Sequence, residues 1–369
     1  MSEELARAPT DFQASMSTVD HSSDRPIAVW LIACCALILL MVVVGGVTRL
    51  THSGLSMTEW QPLIGAIPPL NPEQWDEVFH KYQLTPEYLK INRGMDLDEF
   101  KGIFWWEYFH RLLGRSIGAV FLLPFMYFLF RGKIGMAVAG RFAGIFALGA
   151  LQGALGWYMV KSGLVNDPHV SQYRLTAHLG LAFLIYGAIL WTALDLLSSR
   201  LHGSRGLIRR SGLPSAALVG FIFVMVLSGG LVAGTRAGFA YNTFPLMAGR
   251  WIPAELFALK PWFVNLFENV TTVQFDHRLI AWLLSLLIPL FWLHARKIQL
   301  PGRARLACNL LLVMVIVQIS LGISTLLLGV PVVLAAAHQA GALLLFTAAL
   351  MTHHELRNPG GHRTPPISG

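Results

Sequence analysis

The sequence predicts an all-α, polytopic membrane protein of eight transmembrane helices, arranged as two parallel-repeat four-helix bundles. Three observations carry that expectation. Of its 369 residues, 54% are hydrophobic and only 13% charged, too apolar for an ordinary soluble domain. Eight stretches reach the length of about 20 apolar residues that a helix needs to cross a hydrocarbon core. A set of chemistry-bearing residues also occurs twice, the mark of a duplication.

The spans are read in order. Charge-free runs at 27–48, 142–160, 175–194, 211–235, 306–328 and 332–352 supply the first, third, fourth, fifth, seventh and eighth. The second and sixth, 107–130 and 272–293, begin with a polar turn and then become apolar. The division expected is an N-terminal tail over 1–26, a first bundle over 27–196, a linker over 197–214, a second bundle over 215–353 and a tail over 354–369. The connectors after the second, fourth and sixth spans carry Arg131, Lys133 and Arg141, then Arg200, Arg205, Arg209 and Arg210, then Arg296, Lys297, Arg303 and Arg305. Lys and Arg accumulate in cytoplasmic loops, so these connectors and both termini are expected in the cytoplasm.

The opposite loop at 49–104 is acidic, with Glu73, Asp76, Glu77, Asp96, Asp98 and Glu99, and is expected outside. This asymmetry accounts for the net charge of +8, which leaves no call for nucleic acid as a partner. Glu3, Glu4, Asp11, Asp20 and Asp24 give the N-terminal stretch the wrong charge for a mitochondrial transit peptide, so the lipid bilayer expected is a bacterial plasma (inner) membrane. From His353 onward, Pro359, Pro365 and Pro366 suggest a disordered tail in which His353, His354 and His362 are solvated. Cys34, Cys35 and Cys308 fall within or at the edge of spans, and the absence of CxxC or CxxCH spacing argues against a c-type haem or zinc site.

The duplication is concentrated in histidines. Phe109-His110-Arg111-Leu112 is echoed by Asp276-His277-Arg278-Leu279, and Ala177-His178 by Ala337-His338. Between the members of each pair, Gln152-Gly153-Ala154-Leu155-Gly156 is matched by Gln318-Ile319-Ser320-Leu321-Gly322. Each pair comes from alternate helices of a four-helix unit, an arrangement in which two imidazoles clamp a flat macrocycle from both faces. Haem iron accepts two axial nitrogens, so two pairs point to two haem sites. A single membrane histidine also has a plainer use, a hydrogen bond between helices.

The loops after the first and fifth spans repeat as well. Gly45-Gly46, Arg49, Gly54, Pro62, Gly65 and Pro68 correspond in order to Gly229-Gly230, Arg236, Gly238, Pro245, Gly249 and Pro253. Such residues fix turns, which suits ordered lids over the bundle mouths. Arg49, Arg111, Arg115, Arg236 and Arg278 sit at the outer boundary as candidate contacts for haem propionates, with lipid head groups an equally available partner. The halves differ at one place: Glu107 stands three residues before His110, and Gln274 before His277. An acid beside one site marks it for proton chemistry, although a solvated first-turn acid would read the same way. Trp105, Trp106, Trp157 and Trp251 are read as an interfacial belt.

From Gly45-Gly46-Val47-Thr48-Arg49-Leu50-Thr51-His52-Ser53-Gly54-Leu55-Ser56, through Glu107-Tyr108-Phe109-His110-Arg111, to Ala337-His338-Gln339, the sequence resembles the haem A synthase family, in the branch shared by alphaproteobacteria and mitochondria. The resemblance covers essentially the whole ordered chain. It implies a C-terminal half that holds haem b between His277 and His338, and an N-terminal half that takes the substrate haem O with His110, His178 and catalytic Glu107. Some bacterial members carry a cysteine pair in the first outer loop; this chain has none over 49–104, so a thiol-dependent step does not carry over.

The function implied is oxidation of the porphyrin C8 methyl of haem O to a formyl group by successive hydroxylations, with haem A delivered to terminal oxidases. Haem O synthase and an electron acceptor are the implied partners, and a homo-oligomer is compatible. The other reading is a dihaem b-type membrane electron carrier that oxidises quinol. It calls for equivalent sites, and Glu107 against Gln274 argues the other way.

Overall fold

A computed structural model describes residues 24–59, 64–164, 168, 170–198, 212–298 and 300–357. Most of the N-terminal tail, the connector bearing Arg200 to Arg210, Pro62, and the C-terminal stretch with His362 lie outside the described residues. The chain is a multi-pass membrane protein. Its spanning helices are α1 (Asp24–Leu50), α4 (Leu97–Phe130), α5 (Met136–Gly163), α6 (Gln172–Ser198), α7 (Gly212–Thr235), α9 (Val270–Arg296), α10 (Gly302–Leu327) and α11 (Val332–Leu356). The shortest has 24 residues, about 36 Å at 1.5 Å per residue, enough for a core about 30 Å thick. Three short helices, α2 (Pro72–Gln83), α3 (Pro86–Lys90) and α8 (Asn265–Glu268), lie in the connectors.

Several helices run a few residues beyond the expected spans, α5 for example starting at Met136 rather than 142, and two of the differences have a physical reason that bears on the site. Helix α4 starts at Leu97, ten residues before Glu107, because Asp96 and Glu99 form a capping box there: Asp96 Oδ1 accepts from Glu99 N at 2.8 Å and Glu99 Oε2 from Asp96 N at 3.1 Å. The added turns pack Phe100 and Phe104, together with Tyr108 just beyond them, against Tyr82 of α2 in a separate aromatic core. Glu107 is therefore not a first-turn acid. At the other end of the chain, α11 continues through His353 and His354 rather than ending in a solvated tail. His354 is 7% exposed, its Nε2 lies 3.0 Å from Asp195 Oδ1 of α6, and Arg357 bonds the same carboxylate.

The connectors are built by local caps. Asn71 accepts from Gln74 N at 2.9 Å to start α2, with Pro72 in its first turn. Thr85 Oγ1 accepts from Tyr88 N to start α3. Asn269 accepts from Thr271 N at 2.9 Å to start α9.

Helix α1 packs on α4 and α6, and α5 packs on the same two. Likewise α7 packs on α9 and α11, and so does α10. The two sets meet through α6 with α7, α1 with α11, and α6 with α11. Leu31, Cys34 and Ile38 of α1, Phe183 and Ile189 of α6, and Leu343 and Phe346 of α11 belong to the core along this seam. Tyr186 and Thr347 bond across it at 2.7 Å. The three cysteines are buried and free.

Candidate functional site: two histidine pairs

Each of the four paired histidines lies against a glycine of a neighbouring helix. A Cβ added at Gly45 of α1 would stand 3.3 Å from His110 Nε2 of α4, and one at Gly229 of α7 would stand 3.3 Å from His277 Cε1 of α9. A Cβ at Gly156 of α5 would be 3.0 Å from His178 Cε1 of α6, and one at Gly322 of α10 would be 2.9 Å from His338 Cε1 of α11. Real Cβ atoms essentially never approach as closely as at Gly322, and the other three distances are tighter than nine in ten real contacts, so glycine lets each ring lie on its neighbour's backbone without displacement. One turn before two of these glycines, Gln152 Nε2 donates to His178 O at 3.0 Å and Gln318 Nε2 donates to His338 O at 2.9 Å. The repeated Gln and Gly, visible in the sequence as an echo without a role, are thus the seats of the histidines. His110 and His178 lie within electrostatic reach of each other, as do His277 and His338.

The halves also repeat their lids. Arg111 donates from Nη1 to Glu59 O and from Nη2 to Met57 O, both at 2.9 Å. Arg278 donates from Nη1 to Thr243 O at 2.8 Å and from Nη2 to Tyr241 O at 2.7 Å. These guanidinium groups tie the connectors to the helices, so they are engaged by backbone rather than held open for a ligand. Arg49 and Arg236 act on each other electrostatically; Arg49 Nη2 reaches Ala233 O at 3.4 Å, and its Nε is buried without a partner. Arg115 lies one turn beyond Arg111 on α4. Trp106, Trp157 and Trp251 are exposed, whereas Trp105 packs into the aromatic core around Phe104.

Glu107 is 2% exposed and fully engaged. Its Oε2 accepts from Ser56 Oγ and Met57 N, each at 2.8 Å, and its Oε1 accepts from Arg111 Nη2 at 2.6 Å and Nε at 3.0 Å. Gln274, equally buried, accepts from Arg278 Nη2 at 3.0 Å and donates to Ala237 O at 2.6 Å. The two side chains do the same mechanical work, but only Glu107 brings a charge. A second difference lies behind the first histidine of each pair. Ser228 Oγ stands 2.8 Å from His277 Nδ1, which fixes that ring and leaves Nε2 for a ligand. The position matching Ser228 is Val44, which has no polar side-chain atom to do so for His110.

Over residues 28–350 the chain matches the family model described as COX15-CtaA, cytochrome oxidase assembly protein. A Nitrosospira multiformis protein named "Heme A synthase" is 65% identical over 338 residues, 90% of this chain and 94% of its own length. The chain belongs to the haem A synthase family. Within it, "Heme A synthase" of Paramagnetospirillum magneticum is 50% identical over 92% of this chain and 96% of its own. "Heme A synthase COX15" of Arabidopsis thaliana is 46% identical over 90% of this chain and 75% of its own. Bacterial and plant members of the family thus align over nearly the same length of this chain.

Haem, the group this family implies, fits the residues present. The glycine seats bring four imidazoles to two places, and His178 Nδ1 and His338 Nδ1 are buried without partners. Among the described residues, no group of three or more His, Cys, Asp or Glu gathers that would suit a bare metal ion instead.

Proposed function

We propose that this chain oxidises the C8 methyl group of haem O to a formyl group, giving haem A for terminal oxidases, with the substrate iron held by His110 and His178. The observation that carries this reading is the twice-built seat of His, Gly and Gln in a member of the haem A synthase family. A dihaem quinol-oxidising carrier has no support among the relatives, which are named for synthesis of haem A.

His277 and His338 would hold haem b, and Ser228 at His277 favours a permanent ligand there, because a ring locked by a hydrogen bond needs no reordering when it binds iron. When bound, haem b supplies one-electron redox capacity beside the substrate half. The packing of α1, α4, α5 and α6, and of α7, α9, α10 and α11, supports two bundles over 27–196 and 215–353. Glu107 holds Arg111 and the backbone at Met57 over the substrate half. Its four donors, from Ser56, Met57 and Arg111, suit a residue that positions the lid over the substrate half. Arg49 and Arg236 are the arginines best placed for propionates, since Arg111 and Arg278 are committed to the connectors.

The positive connectors support an orientation with Arg131 and Arg303 in the cytoplasm and all four histidines near the outer face of a bacterial plasma membrane. Haem O synthase would deliver the substrate, whose farnesyl tail would lie sideways in lipid. The test is haem analysis of membranes that make this chain beside a source of haem O: conversion to haem A supports the reading, and haem O left unchanged beside bound haem b contradicts it.

A further inference from the structure

The connector between α1 and α4 holds a second buried acid that has no counterpart in the duplicated pattern. Glu87, on α3, is 3% exposed, and its Oε2 is buried with no hydrogen-bond partner. Three charged or titratable groups from the elements around it stand within electrostatic reach: Arg49 at the end of α1, Glu107 on α4 and Tyr82 at the end of α2. Tyr88, its neighbour in α3, acts on Tyr82 in the same cluster. The connector of the other half carries Glu255 and Glu268, and both are exposed and bonded to tyrosine hydroxyls.

The two buried acids are chemically unlike. Glu107 accepts four donors, which stabilise its charge. Glu87 has a carboxylate oxygen with none, and a buried charge without a partner is costly. Desolvation by burial, with the Glu107 charge added, pushes the Glu87 carboxyl up to about 8 against the opposing pull of Arg49. The group therefore carries a proton at neutral pH and can exchange it close to neutrality.

We propose that Glu87 is the proton-exchange residue of the half that holds His110 and His178. This rests on the haem O reading above. With water as the oxygen source and an electron acceptor, oxidation of a methyl to a formyl group releases one proton for each electron removed. Glu87 takes part in proton transfer alone: its ionised Oε2 forms an O–H bond with a proton passed on by water, and later returns that proton to water outside. No electron moves through it. Because only the ionised form accepts, turnover rises with pH through about 8.

The experiment uses the purified full chain in detergent, first without haem O. Infrared difference spectra should show a protonated buried carboxyl band that is lost as pH rises through about 8, absent from Glu87→Gln and shifted to lower pH in Glu107→Gln, where the neighbouring charge is gone. With haem O supplied, the rate of haem A formation should lose its rise through that pH in Glu87→Gln and fall on the order of tenfold or more above it, with partial recovery in Glu87→Asp. Three results overturn the proposal. One is a band that survives in Glu87→Gln, another is an unchanged pH profile, and the third is loss of bound haem in both Glu87 variants, which would make the residue structural. A wild-type chain that shows the band but forms no haem A at any pH contradicts the functional reading and removes the proton role with it.

Discussion

Gly322→Ala probes the histidine seat by adding a single methyl group. Its Cβ would stand 2.9 Å from His338 Cε1 and 3.4 Å from Nδ1, so the ring must yield by about 0.5 Å to regain ordinary contact. Overpacking of this size costs about 1–3 kcal/mol where the ring cannot move. A ring held by iron cannot, whereas an unligated imidazole can turn away, so the cost falls on the haem-bound state. It corresponds to roughly 5- to 150-fold weaker haem retention at about 1.4 kcal/mol per decade. Alanine is also a better helix former than glycine by about 1 kcal/mol, so haem-free α10 should be no less stable. The assay is haem content and the low-spin spectrum of the purified variant through a dilution series, with thermal melting alongside. Gly220→Ala, at a helical glycine with no atom within 4 Å of an added Cβ, is the control and should keep its haem. Gly229→Ala, at 3.3 Å from His277 Cε1, should fall between them. Full haem retention by Gly322→Ala would refute the argument that glycine seats the ligand.

Glu107→Gln should retain bound haem b but accumulate haem O or a hydroxymethyl product, because an amide cannot receive both Met57 N–H and Arg111 as the carboxylate does; a normal haem A yield at matched protein level would remove Glu107 from the reaction. Reporter fusions should place Gly302 in the cytoplasm and Asp96 outside, and a cytoplasmic signal at Asp96 would overturn the orientation. Thermal stability should fall as pH rises from the ordinary glutamate range toward about 8, since the folded state binds the Glu87 proton more tightly than the unfolded chain does; a Glu87→Gln melting curve with the same pH slope as wild type would contradict that assignment.

The eight spans were legible because membrane crossing is a property of local composition, and the histidine duplication was legible because its members recur in order. What remained hidden depends on partners far along the chain. His354 looked like tail because apolar residues stop at Met351, yet it is held by Asp195 on α6, 159 residues away in sequence. Glu87 was one acid among many in an acidic loop, and only the packing of α3 buries it. The start of α4 was missed because Asp98, Glu99 and Lys101 interrupt the apolar run, although Asp96 with Glu99 is a readable capping pattern. Gln152 and Gln318 were seen to correspond, but their bonds to histidine carbonyls are tertiary and leave no further trace in sequence. The asymmetry between Ser228 and Val44 acquires meaning only once His277 is found beside the serine.

Two similar histidine pairs are proposed to do different work, one holding the haem that is changed and the other a haem that stays. Haem analysis of purified His110→Ala and His338→Ala, each produced beside a source of haem O, tests it most directly. His110→Ala should keep haem b with its low-spin spectrum and make no haem A, and His338→Ala should lose haem b. The same pigment loss in both variants, or haem A formed at the wild-type level by His110→Ala, would contradict it.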